Sequence, residues 1–515
     1  MFGIEKADQL NQHRASASER VYTLLRSHIS DGTLPSGAKL PSTRVLSADL
    51  GASRSTVVAV YEQLAAEGYI DTAPGARARV APGVSAQASV ARTGHPRTTA
   101  PSVQAAAHTA RISRFATRLS GLPLPQPPEA PQDGRIDFLY GALSSSDFPG
   151  RAWRRAYADA MSQQAARLYY RPADGEAMLL SELQGYLRRA RGVVCTPVQI
   201  LIVQGSQQAI DLCARVLVDT DDTVVIEEPC YLMARRVFEA ARARLHTVAV
   251  DEHGMVTQAL PRGRARLVYV TPSHQFPLGG VMPIGRRREL LAWAQARNTW
   301  ILEDDYDGEF RYGMPPVDTL QSLDSCEQVI YVGTFSKTLS PQLRLGYLVL
   351  PMALVPAFWQ AKQITDRHAP TIEQLALATL IHSGLYERHV RRMRRANERR
   401  RRALIDAIEQ HLGSRAQVEG AASGLHLVLW LPGIDVQDEP VLVEQARACG
   451  VGVWPVSPLY AAGRALRARR CAGLVMGYAS LEPAQITAGI QRLAVAVAVT
   501  SAPGGSRRRG GSPRR

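Results

Sequence analysis

Lysine is nearly absent from this chain. Of its 61 basic residues only four are lysine (Lys6, Lys39, Lys337 and Lys362), and 57 are arginine. Arginine serves for most solvated charges but cannot act as an amine nucleophile, so each remaining lysine calls for a reason. Cysteine is scarce as well: six residues (195, 213, 230, 326, 449 and 471) stand apart, with no CxxC pair and no Cys/His cluster. That spacing favours neither a disulfide framework nor a zinc site, and no metal is expected. Long apolar runs are missing too. The longest near the end, Leu493 to Thr500, falls far short of the ~20 residues needed to span a bilayer. The N-terminal MFGIEKADQLNQHR has no apolar stretch of the secretory type. A soluble, cytoplasmic protein is expected.

What the chain does have is size and positive charge. Its 515 residues, 45% hydrophobic, supply material for two to four domains of about 150 residues each. A formal charge of +15 raises the question of a polyanionic partner. The charge is diffuse, however. Residues 1–80 hold nine basic and eight acidic side chains, residues 81–133 five and two, and the tail 501–515 five arginines and no acid. Local placement, not the sum, must identify a DNA-binding region.

Residues 81–133 are mostly Ala, Pro, Ser, Thr, Gly, Gln and Arg. They bury too little apolar surface to offset ordering and read as a linker, with a short helix expected around Arg111 to Leu119. The tail 501–515, SAPGGSRRRGGSPRR, reads as a disordered, solvated basic segment. A small domain (1–80) and a large one (134–500) flank the linker. In the small domain a helix is expected over Ala17–Ser30, with Val21, Leu24, Leu25 and Ile29 on one stripe. Ser42 caps a short helix through Leu50, Gly51-Ala52 forms a tight turn, and Ser53 caps a longer helix to about Glu67. Tyr69–Thr72 and Arg77–Val80, joined by Pro74-Gly75, complete a two-stranded wing. This is a winged helix-turn-helix, which places the start of its second helix in the major groove of double-stranded DNA. Arg54 is then the base reader, Ser53 and Thr56 contact phosphates or bases, and Ser42, Arg44, Gly75 and Arg77 lie along the backbone.

The large domain alternates. Apolar runs at Ile200–Gln204, Thr223–Glu227, Leu245–Val250, Leu267–Thr271, Thr299–Glu303, Val329–Gly333 and Leu345–Leu350 are interleaved with helical patterns. Seven such strands predict an α/β fold with a mostly parallel, doubly wound sheet and ligands at the strand C-terminal ends. After about residue 365 long helices and a few strands predict a smaller α+β subdomain, including the arginine-dense helix His389–Arg402.

Four segments converge at those strand ends. Gly205-Ser206-Gln207 opens a helix, where free amides suit a phosphate. Glu228-Pro229-Cys230-Tyr231 brings an aromatic ring, Asp304-Asp305-Tyr306-Asp307 a carboxylate and a phenol, and Thr334-Phe335-Ser336-Lys337 an amine, followed by Arg344. Together these are the needs of pyridoxal 5′-phosphate. Its aldehyde requires an amine for a Schiff base (Lys337) and its ring nitrogen a carboxylate (Asp304). Its 3′-oxygen takes a donor (Tyr306), its ring a stacking partner (Tyr231), and its phosphate a guanidinium (Arg344).

On these residues the chain resembles the MocR/GabR subfamily of GntR-type transcription regulators. LPSTRVLSADLGASRSTVVAVYEQLAAEGYI is similar to the GntR winged-helix signature, and YRPADG, QGSQQAIDL, EEPCY, TPSHQFPLG, ILEDDYDGEFRY and TFSKTLSPQLRLGY to a fold-type I, class I/II aminotransferase. The resemblance implies that Lys337 forms the Schiff base, that Asp304 and Tyr306 hold the ring, and that Ser206, Gln207, Ser336 and Arg344 hold the phosphate. It also implies a homodimer in which Tyr170 reaches that phosphate across the interface. Some positions depart from the pattern: GARARV in the wing keeps only Gly75 and Val80, and Cys230, Leu278 and Asn397 replace usual residues. In LVMGYA, Val475 stands where aminotransferases keep the arginine for a substrate carboxylate. The expected function is therefore a regulator that changes its DNA binding in response to pyridoxal phosphate or an amine or amino-acid effector, with at most residual transamination. The alternative is a working aminotransferase with a vestigial head.

Overall fold

The computed structural model describes residues 16–73, 76–84, 112–125, 134–162, 169–313, 317–461 and 469–502. The chain divides into two compact units, Met1–Arg111 and Ile112–Arg515. In the first, helices α1 (Ala17–Ser30), α2 (Thr43–Leu50) and α3 (Arg54–Ala66) each begin on a serine. Ser16, Ser42 and Ser53 accept from the backbone N–H of Glu19, Val45 and Thr56, satisfying donors that a helix start leaves unpaired. Gly51 at φ +62° turns the chain between α2 and α3, a left-handed conformation natural to glycine. Val21, Leu25, Ile29, Val57, Val60 and Leu64 form the core beneath them. The antiparallel wing pairs β1 (Ile70–Asp71) with β2 (Arg79–Val80); β1 is one residue shorter than the sequence pattern predicts at each end, and β2 starts two residues later but ends at Val80 as expected. Gly75 lies outside the described residues, as do most of 81–133 and the tail beyond 502.

In the second unit β3 (Ile136–Asp137) leads to the main sheet, which holds β4 (Ile200–Val203), β5 (Thr223–Glu228), β6 (Arg244–Asp251), β7 (Gly254–Met255), β8 (Leu267–Val270), β9 (Trp300–Asp305), β10 (Val329–Thr334) and β11 (Gly346–Val349). Their order is β4-β11-β10-β9-β8-β5-β6-β7. The expected seven strands are present, and Gly254–Met255 adds a short antiparallel edge. All pairs from β10 to β6 are parallel, whereas β11 runs antiparallel to both β10 and β4. Near-continuous burial along β4, β5, β8, β9 and β10 explains their unbroken apolar runs, because helices cover both faces.

The smaller subdomain has a four-stranded antiparallel sheet, β12 (Gln417–Glu419), β13 (His426–Asp435), β16 (Cys471–Gly477) and β15 (Trp454–Pro455). β14 (Val451–Gly452) pairs with β3, tying the start of this unit to its end. The arginine-dense helix is longer than the sequence pattern marks, running Leu385–His411, because Leu404 and Ile408 continue its buried stripe beyond the last arginines.

One glycine positions the lysine-bearing loop. Gly333 lies opposite Tyr347 across the β10–β11 pair, and a Cβ at 333 would enter the Tyr347 ring, itself packed against Phe335 at 5.5 Å between centroids. Gly333→Ala should therefore destabilise this unit by about 1–3 kcal/mol through overpacking, measured by urea denaturation. An unchanged midpoint would show that the ring can move aside.

Candidate functional site

At the start of α3, Arg54 is exposed, as are Arg44 on α2 and Arg77 beside the wing. Ser42 and Ser53 use their hydroxyl oxygens as helix caps, and Ser53 Oγ also lies 2.7 Å from Thr56 Oγ1. All three arginines are exposed long cations, while the Ser42 and Ser53 hydroxyls shape the helix starts.

In the second unit the strand ends surround a cavity of about 500 Å³. Ser206, Gln207, Tyr231, Asp304, Tyr306, Ser336, Lys337 and Arg344 all line it. The topology explains the convergence. β4, β5, β9 and β10 end at the same edge of the sheet, and the antiparallel β11 begins there, two residues after Arg344. The helix Ser206–Leu217 starts on Gly205 with no side-chain cap, leaving its first amides available to an anion. Gly205 sits at φ +80°, and a Cβ there would come 3.1 Å from both terminal nitrogens of Arg344, so glycine lets the guanidinium approach the helix start. Arg344 Nη2 donates to the Gln204 carbonyl at 2.8 Å.

The electrostatics are those of a dry site. Burial lowers the Lys337 amine below the ordinary lysine value, with Asp307 and Asp304 acting in the opposite sense. A neutral amine, the nucleophilic form, is thereby favoured. Lys337 Nζ reaches the Gly141 carbonyl at 3.4 Å. Burial raises the Asp304 carboxyl to about 7, although the Tyr269 hydroxyl donates to its Oδ2 at 2.7 Å. Asp304 Oδ1 is buried without a partner. Burial also pushes the Tyr231 phenol up to about 12, so that ring is neutral.

Tyr170 does not line this cavity. It is 69% exposed, with the Arg367 guanidinium 4.3 Å from its ring centroid. Val475 is fully buried among Phe276, Leu278, Val428 and Trp430. Arg469 lies over the Trp430 ring and pairs with Glu419 at 2.9 Å, and Arg467 is outside the described residues. Among the described lining residues Arg344 is the only arginine. Sequence reasoning missed Tyr269, Asp307, His274, Phe276 and His426, which the fold brings to the same place. Asp307 carried a signal as the last acid of the EDDYD run. The others sit in loops or strands without periodic pattern.

His274, Asp307 and His426 are all buried, with potential metal-ligating atoms within 4.8 Å of one another. Within the cluster His274 Nδ1 lies 2.9 Å from Asp307 Oδ2 and His426 Nε2 lies 3.0 Å from the Pro277 carbonyl, whereas His274 Nε2 and Asp307 Oδ1 are buried without partners.

Residues 17–80 match the family of bacterial regulatory proteins called gntR, and residues 141–469 match aminotransferase class I and II. The probable rhizopine catabolism regulatory protein MocR of Rhizobium meliloti is 34% identical over 96% of this chain and 95% of its own length. The HTH-type transcriptional regulator YdeL of Bacillus subtilis is 35% identical over 93% and 96%. The chain belongs to the MocR-type GntR regulators. Its aminotransferase domain also resembles solved enzymes. A Pyrococcus horikoshii kynurenine aminotransferase in complex with PMP has TM-score 0.66 and 28% identity, over 76% of this chain and 96% of that one. LysN of Thermus thermophilus, complexed with N-(5′-phosphopyridoxyl)-L-leucine, has TM-score 0.65 and 27% identity, over 77% and 97%.

The domain of this MocR-type regulator is thus of the pyridoxal-phosphate-binding kind, and its residues fit the group. The unpaired Asp304 oxygen suits a protonated ring nitrogen, the uncapped helix start with Arg344 suits a phosphate, and the buried Lys337 suits an aldehyde. Asp304→Asn should weaken cofactor binding about 10-fold or more, read by titration of the visible band, since a charged hydrogen bond is lost. In cofactor-free protein the sign on stability is opposite. The folded Asp304 keeps its proton up to about 7, whereas the unfolded one loses it near 3.9, so its contribution to stability falls as pH rises between those values. The variant should therefore be at least as stable as the parent at pH 7, with the difference vanishing toward pH 4. Glu303 and Glu309, raised to about 7 by burial, act alike in both proteins, while Glu227, also raised to about 7 by burial, loses only the smaller upward push of the Asp304 charge.

Proposed function

We propose that this regulator senses the loading of its own cofactor site. Pyridoxal phosphate loaded on Lys337, or an amine that exchanges with that lysine, changes operator affinity. The observation that carries the reading is a cavity lined by Lys337, Asp304, Tyr306, Tyr231 and the phosphate-side residues, with no second arginine among its described lining, while Val475 is buried in the apolar cluster of Phe276, which lines the cavity. When bound, pyridoxal phosphate supplies an aldehyde that condenses with primary amines and a ring that withdraws electrons. In this chain Lys337 would present the amine, Asp304 would hold the proton on the ring nitrogen, and Tyr306 would donate to the 3′-oxygen. Tyr231 would cover one face, and Ser206, Gln207, Ser336 and Arg344 would anchor the phosphate at the helix start. A substrate α-carboxylate finds no bidentate donor at Val475, which disfavours sustained transamination of standard amino acids and favours pyridoxal phosphate itself, or an amine without that carboxylate, as the signal.

DNA recognition is assigned to Arg54 at the start of α3, with Arg44, Arg77, Ser42, Ser53, Thr56 and Gly75 supporting it. We also assign a homodimer. Tyr169 and Tyr170 are adjacent aromatics, 61% and 69% exposed, an arrangement suited to a partner subunit's phosphate site and costly to leave in water. Two heads in one particle would match a two-fold operator.

The test is operator retardation with and without pyridoxal phosphate, alongside an amino-acid turnover assay. Pyridoxal phosphate should change the apparent Kd of the parent protein several-fold and leave Lys337→Ala unaffected. Arg54→Ala should weaken operator binding by about 1–3 kcal/mol, the worth of one bidentate base contact. Equal DNA binding in both states, or sustained turnover of common amino acids, would contradict the proposal and favour a working enzyme with a vestigial head.

A further inference from the structure

Behind Tyr306 lies a polar group that the cofactor set does not account for. His274 follows β8, is 2% exposed, and places Nδ1 2.9 Å from both Asp307 Oδ2 and the Tyr306 hydroxyl. One imidazole nitrogen is either donor or acceptor. A carboxylate only accepts, so Asp307 fixes the proton on Nδ1. The Tyr306 oxygen can then share that N–H, but the Tyr306 hydrogen finds no acceptor on His274 and turns toward the cavity that Tyr306 lines with Lys337. His274 Nε2 is buried without a partner, as the lone-pair nitrogen of this tautomer would be.

Two elements of the small subdomain hold the arrangement. The His426 ring lies 4.8 Å from that of His274 between centroids, and its Nε2 donates to the Pro277 carbonyl at 3.0 Å. Burial keeps His426 neutral, with a value well below that of ordinary histidine. Gly424, at φ +78°, packs over the pair: a Cβ there would enter the His274 ring and come 2.6 Å from Asp307 Oδ2. Its carbonyl is fixed in turn by the Tyr312 and Tyr478 hydroxyls at 3.0 and 2.7 Å. Side chain, tautomer and glycine therefore agree on one geometry.

We propose that His274, oriented by Asp307 and seated under Gly424, is a positioning residue that makes Tyr306 an obligate hydrogen-bond donor toward the cofactor's 3′-oxygen. The inference rests on the assignment of this cavity to pyridoxal phosphate. By accepting from His274, the Tyr306 oxygen sharpens its own O–H as a donor, which stabilises the deprotonated 3′-oxygen. Asp304, Asp305, Asp307, Glu227, Lys337, Arg311, Tyr312, Tyr478 and His426 are the titratable groups facing the pair, and the substitutions below leave them in place.

The experiment compares His274→Asn with His274→Leu in the full chain, following cofactor dissociation and the pH midpoint of the bound cofactor's visible band. Asparagine keeps an N–H donor at the Nδ1 position, and leucine keeps bulk without one. His274→Leu should raise the band's midpoint by about one pH unit and weaken cofactor binding about 10-fold, the worth of one hydrogen bond to a charged group. His274→Asn should stay within about two-fold of the parent, the scale of a retained hydrogen bond. Gly424→Ala should shift the midpoint in the leucine direction while Tyr306 and His274 remain. Equal effects of asparagine and leucine would reduce His274 to packing and overturn the proposal. So would stoichiometric zinc binding by the parent that His274→Asn abolishes, which would make the cluster a metal site. Absence of any visible band in the parent would instead refute the cofactor assignment itself.

Discussion

The cofactor-side loop depends on one buried ion pair. Arg191, at the end of the helix Ala177–Arg191, donates through Nε to Asp305 Oδ2 at 2.8 Å and through Nη1 to the Gly308 carbonyl at 2.8 Å, and Arg191 Nη2 also contacts Asp305. The Tyr331 hydroxyl donates to the same carboxylate at 2.5 Å. Burial alone would raise the Asp305 carboxyl, but Arg191 and Tyr331 outweigh it and hold it below the usual range. Its neighbour Asp304 is raised to about 7. Successive side chains of a strand face opposite ways, so β9 turns an arginine-paired carboxylate toward its scaffold and one without a cationic partner at hydrogen-bond distance toward the cavity. Breaking such a buried pair typically costs 3–5 kcal/mol, which pins the loop that carries Asp304, Tyr306 and Asp307.

This division of labour separates what the sequence discloses from what it hides. The scarcity of lysine pointed to Lys337, and the fold places it on the cavity wall. Of the other lysines, Lys362 has an ordinary structural role, paired with Asp366 at 2.5 Å. Strand runs, serine caps and the order of the four chemical segments were legible because each is local: a period, a cap or a strand end can be read from neighbours in the chain. The His274–Asp307–Tyr306 group was not, since its members meet across 32 or 33 residues and are held by Gly424, more than a hundred residues further on. A histidine in a loop carries no periodicity, and a glycine at φ +78° is indistinguishable in sequence from any turn. The length of the helix Leu385–His411 escaped for a similar reason: its arginines obscure the buried stripe that continues beneath them.

The same contrast bears on why the domain serves regulation. On the proposed reading, Lys337, Asp304 and the phosphate seat keep cofactor chemistry, while valine at 475 offers no donor for a substrate carboxylate. Such a site would register the proposed signal, the cofactor or an exchanging amine, and the differential stability of loaded and unloaded states is what a ligand must supply to shift a conformational equilibrium.

The central claim is that Lys337 alone among four lysines bonds the cofactor. Borohydride reduction of the protein equilibrated with pyridoxal phosphate, followed by peptide mass mapping, tests it directly. One pyridoxyl adduct per chain on the peptide containing Lys337 is the predicted result. An adduct on the peptides of Lys6, Lys39 or Lys362, or none at all, would contradict it.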